Sequence, residues 1–136
     1  MSRVRDIASI LGRTENNNTE NLALGNLEFF KTFSRSGDLE VTTGTQRFYL
    51  VSASILKNVE AYVKTAPAGA DATLNVIKNG SSTIKTVTIS DGNTSSGDNL
   101  SEISLVEGDY LTINITQIGS STAGTDLYVN LTFNKG

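Results

Sequence analysis

The stretch Glu107-Gly108-Asp109-Tyr110-Leu111-Thr112-Ile113-Asn114-Ile115-Thr116 decides the fold. Leu111, Ile113 and Ile115 alternate with Thr112, Asn114 and Thr116, and because successive strand side chains point to opposite faces, one face is apolar and the other wet. This is the pattern of a half-buried strand. Ile103 and Leu105 keep the same alternation upstream, and Glu107-Gly108-Asp109 between them is a polar, glycine-containing break that reads as the turn of a hairpin. An isolated hairpin is marginal in water, so more sheet from residues 46–133 has to cover its apolar face.

Downstream, Gly119 to Thr125 is a polar loop, and Leu127, Val129, Leu131 and Phe133 line a last strand. Upstream, Ser90 to Asn99 is a long polar loop preceded by a strand from Ile84 to Ile89. Val87 and Ile89 of that strand point inward, and Ile84 falls on the opposite parity, which predicts a bulge or a sheet edge. Asn79-Gly80 joins it to the alternation of Ala72, Leu74 and Val76, as a hairpin turn whose two residues both tolerate positive φ. Val59, Ala61 and Val63 alternate with Glu60, Tyr62 and Lys64; Phe48 with Leu50, and Leu39 with Val41, give shorter runs. Short strands at near-regular spacing, with no helical period between them, predict an all-β chain: an antiparallel β-sandwich, jelly-roll-like, of about eight strands over residues 37–136.

Residues 1–36 read differently, as a docking arm. Val4, Ile7, Ala8 and Leu11 recur at helical spacing and predict a short amphipathic helix over residues 3–11, with Ser2 as N-cap and Gly12 as stop. A helix this short is marginal alone and needs a surface to lie on. The spacer 13–21 has no apolar residue, and the segment 22–33 then concentrates Leu22, Leu24, Leu27, Phe29, Phe30 and Phe33 without clear periodicity. These side chains either fold back over the chain's own sandwich or dock on a neighbouring subunit. The polar spacer favours the second reading, because slack gives reach of about 3.3 Å per extended residue.

Composition narrows the function. With a net charge of −3 and no basic stripe the chain is not expected to bind nucleic acid, since phosphate recognition draws on clustered Lys and Arg. The absence of histidine and cysteine removes the commonest general base, the Ser-His-Asp arrangement, thiolate chemistry and the usual transition-metal ligands. No apolar run is long enough to insert in a membrane or to form a signal peptide's core, so synthesis and folding in the cytosol are expected.

Among carboxylates, Glu102, Glu107, Asp109 and Asp126 are the candidates for a glycosidase-like pair, yet acidic residues beside Gly108 are ordinary turn chemistry. Asp91, Asn93, Asp98 and Asn99 could offer oxygen ligands to calcium, but their spacing matches no EF-hand loop. No catalytic residue, metal or cofactor is therefore assigned. Tyr62, Tyr110 and Tyr128, on the parity opposite the aliphatic core, form a candidate ligand face on which a host-surface glycan would stack; the competing reading is cross-strand pairing or contact with a partner subunit.

Ser2 to Glu15 resembles the opening of many virion structural and tail-fibre-like proteins of marine tailed phages, notably those of cyanobacteria. The body is similar in architecture to the small β-sandwich heads and decoration domains of phage virions, at the Gly80 hairpin, at Glu107-Gly108-Asp109 and at Gln117-Ile118-Gly119-Ser120. The resemblance implies a non-enzymatic virion protein, made in the host cytoplasm and partnered by the major capsid protein or by tail proteins. A homo-oligomer such as a trimer is expected. The chain has no repeats, heptads or collagen-like shaft, which favours a capsid decoration or cement protein over a short tail fibre, adhesin or adaptor.

Overall fold

Alternation with a period of two carries through most of the chain that the computed structural model describes, residues 28–136. It builds β1 (Glu28–Asp38), β2 (Phe48–Tyr49), β3 (Ser54–Tyr62), β4 (Ala72–Lys78), β5 (Ser82–Ile89), β6 (Leu100–Leu105), β7 (Tyr110–Ile118) and β8 (Thr125–Lys135). These form two antiparallel four-stranded sheets, ordered β1-β8-β3-β6 and β2-β7-β4-β5, and the described residues contain no helix. Val59, Ala61, Val129, Leu131 and Phe133 of the first sheet share one core with Leu74, Val76, Val87, Leu111 and Ile115 of the second. Each large side chain so buried contributes roughly 1.5–3 kcal/mol relative to exposure, so the shared core holds the sheets together.

The β4–β5 connection follows the sequence reading. Asn79 and Gly80 both take positive φ, 55° and 76°, between the register partners Lys78 and Ser82. The register slips between Val76 and Ile77, which leaves Ile84 as the extra residue of a bulge on the edge strand β5.

The hairpin expected around Gly108 is not one. β6 pairs with β3 in the first sheet, β7 with β4 and β2 in the second, so Val106 to Asp109 is a corner between sheets. Its backbone bonds go to neither flanking strand: Gly108 N–H donates to Leu50 O at 2.8 Å and Leu50 N–H to Asp109 O at 2.8 Å. An inter-sheet corner and a hairpin both keep the apolar parity inward, which is why alternation alone does not separate them.

The boundary drawn between residues 36 and 37 is also corrected. Glu28 to Asp38 is not arm but β1, paired with β8 from Glu28↔Asn134 to Arg35↔Leu127. Phe33 is buried at 5% exposure in the chain's own core, and Phe29 stacks on Phe133 with centroids 4.8 Å apart. Neither ring is free to dock elsewhere. Phe30, on the outward parity, is 68% exposed.

Candidate interaction surfaces

Of the residues expected to dock, Val4, Ile7, Ala8, Leu11, Leu22, Leu24 and Leu27 lie outside the described residues, as does the expected helix over 3–11. Phe30 alone of the three phenylalanines presents its ring to solvent, on the outer face of the first sheet.

That face also carries two of the three tyrosines of the candidate ligand face. Tyr62 on β3 and Tyr128 on β8 are direct register partners, and Ser34 of β1 lies beyond Tyr128 in the same row. Both rings are partly exposed, at 38% and 50%. A hydrogen bond with Glu60, then burial, and then the charges of Glu60 and Asp98 raise the Tyr62 phenol above its ordinary value, so it stays a donor. Two neighbouring aromatic faces beside carboxylates and hydroxyls make a small platform able to stack and hydrogen-bond a polyhydroxyl ligand.

Tyr110 is elsewhere. It lies on the second sheet, paired with Tyr49 of β2 and 5.2 Å from it between ring centroids. Arg47 lies over Tyr110 at 4.2 Å and donates from Nη1 to the Tyr49 hydroxyl at 2.8 Å. Tyr49 was not singled out from the sequence; its register with Tyr110 could be found only once β2 was known to pair with β7.

Asp109 organises this end of the sandwich. Its carboxylate accepts the Val106 N–H at 3.0 Å and the Asn79 Nδ2–H at 3.0 Å, while Asn79 Oδ1 accepts the Tyr110 N–H at 3.0 Å. These bonds, the Val106 one foremost and with help from Lys78, hold the carboxyl below its ordinary value. One side chain thereby ties the β6–β7 corner to the β4–β5 hairpin. Val51 and Val106 stand exposed beside it, at 86% and 61%.

Of the other candidate carboxylates, Glu102 and Asp126 have structural partners. Glu102 pairs with Lys57, and Asp126, whose own φ is 54°, accepts the Gly37 N–H on Oδ1 at 2.7 Å. In the Ser90–Asn99 loop, Asp98 accepts from Asn58, and Asn99 donates to Val59 O and Gly97 O. The described residues hold no cluster of three acidic, histidine or cysteine side chains with metal-binding geometry. The loop from Gly119 to Thr125 is pinned too, with Ser120, Ser121 and Thr122 all donating backbone N–H groups to Ala68 O.

No protein-family model and no curated protein matches the chain. Among solved structures it is similar to a chain of the "Cyanophage Pam1 capsid asymmetric unit", with a TM-score of 0.53 at 17% identity, over 82% of this chain and 87% of that one. The two share a fold and are of similar length.

Proposed function

We propose that this protein is a non-enzymatic structural component of a phage virion, a capsid decoration or cement subunit anchored through its N-terminal arm with the sandwich projecting outward. The observation that carries the reading is the fold shared, over nearly the whole of both chains, with a chain of a cyanophage capsid unit. The opening from Ser2 to Glu15, similar to that of phage virion proteins, supports it independently. So does the strand order: in β1-β8-β3-β6 and β2-β7-β4-β5 every connection but β4–β5 passes from one sheet to the other, as expected of the jelly-roll reading.

On this reading residues 1–27, rather than 1–36, are the anchor, and Val4, Ile7, Leu11, Leu22, Leu24 and Leu27 bury apolar area against the shell or a sister subunit. The test is co-sedimentation of the full chain, and of a chain lacking residues 1–21, with phage shells stripped of their decoration. Binding by the first and not the second is expected; equal binding by both would overturn the anchor.

The Tyr62–Tyr128 pair favours a second reading, a tail adhesin that holds a host glycan on the first sheet. A glycan array decides between them. Specific binding lost in Tyr128→Ala supports the adhesin, and no binding leaves decoration.

A further inference from the structure

The two sheets do not close on each other at the β1 edge. Between β1 and the segment Thr42–Gln46 lies a cavity of about 320 Å³. Its floor is the inner face of both sheets: Phe33, Leu127 and Val129 from one, Ile113 and Ile115 from the other. Its rim is polar, with the hydroxyls of Thr42, Thr43 and Thr45 on one side and Arg35 on the other.

Arg35 lies opposite Leu127 in the register, so it occupies an inward position on an edge strand. Its Nε is buried and has no hydrogen-bond partner among the described residues. Among the described residues Nη2 reaches only the exposed Glu40, at 3.7 Å, beyond hydrogen-bond distance. Nε–H and Nη2–H lie along one edge of the guanidinium, the fork that binds a carboxylate through two parallel bonds. Two inward positions along β1, outside the lining of the cavity, Lys31 places its Nζ 5.3 Å from the Phe33 ring centroid. A buried donor without an acceptor is costly, and a cation over an apolar floor selects a ligand with one anionic end and an aliphatic body.

We infer that this cleft is a binding site for an aliphatic carboxylate, its chain on Phe33, Ile113, Ile115 and Val129 and its carboxylate on the Nε/Nη2 edge of Arg35. A chain of about ten carbons suits a cavity at the lower end of the usual size for small-ligand sites. Glu40 competes for the same guanidinium. The site is independent of the anchor and of the virion reading.

The probe is decanoate, titrated into the full-length protein by calorimetry and followed by methyl NMR, with 1-decanol as the uncharged control. Saturable decanoate binding is expected, with shifts at Ile113, Ile115, Leu127 and Val129. Arg35→Gln should weaken decanoate about tenfold or more and leave decanol unchanged. Glu40→Gln should tighten decanoate, because the competing carboxylate is gone. If Arg35→Gln does not fold, Arg35→Lys carries the test, since it keeps the charge and stem but loses the fork; a several-fold weakening is expected. No saturable binding, equal affinity in wild type and Arg35 variants, or shifts confined to the Tyr49–Tyr110 end would overturn the proposal.

Discussion

Two of the four edge strands, β5 and β1, close the sandwich by different means. β5 turns Val87 and Ile89 inward, both at 0% exposure, and packs across onto β3. β1 turns Phe29, Lys31, Phe33 and Arg35 inward, so two aromatic rings alternate with two cations. The first edge is sealed by aliphatic packing; the second is held apart and wetted. Inward charges on an edge strand also discourage pairing with another sheet. Stability and access are thus assigned to opposite sides of one core.

The largest effects should come from the sealed side and the centre. Phe133→Ala removes the ring on which Phe29 and Phe48 both pack and should cost roughly 3–5 kcal/mol in chemical denaturation; Ile89→Ala should cost roughly 2–5 kcal/mol. Arg35→Met on the wetted side should be neutral or slightly stabilising, since it removes a buried unpaired donor and adds apolar contact. A loss there as large as that of Ile89→Ala would break the contrast between the edges.

Next in size is Gly44→Ala. A Cβ at Gly44 would collide with the carbonyl of Ile113 on β7, so the segment that walls the cleft must shift, at roughly 1–3 kcal/mol in the same denaturation assay. Within β1 the contrast is between parities. Phe33→Ser should destabilise strongly, whereas Phe30→Ser should stay within about 0.5 kcal/mol of wild type.

The smallest effect is a pH dependence at the Asp109 corner. Its folded carboxyl titrates below the unfolded value of 3.8, so its contribution is complete above that value and is lost as pH falls through the folded one. Thermal melts between about pH 5 and pH 3 should therefore fall less steeply in Asp109→Asn than in wild type.

How much of this was legible in the sequence depended on what sat at the inward positions. β3, β4, β7 and β8 turn aliphatic residues inward and polar or tyrosine residues outward, and their alternation gave both the class and most of the core. β1 was hidden because Lys31 and Arg35 hold inward positions while Phe30 holds an outward one, so its apolar residues show no period of two and were assigned to an arm. The β6–β7 corner cannot be told from a hairpin in the sequence, because both obey the same parity. The tyrosine face was legible in direction but not in location: parity sends Tyr62, Tyr110 and Tyr128 outward, and only the sheet order shows that Tyr110 stands on the other sheet with Tyr49. The cleft left no mark on the sequence, because its lining comes from strands far apart in the chain.

The proposed virion role is tested most directly by an electron cryomicroscopy map of phage particles purified from cells that express this chain. The account predicts the eight-stranded sandwich repeated over the outer surface of the shell, each copy joined to it by residues 1–27. A shell without it, or the sandwich confined to the tail tip, would contradict the proposed role.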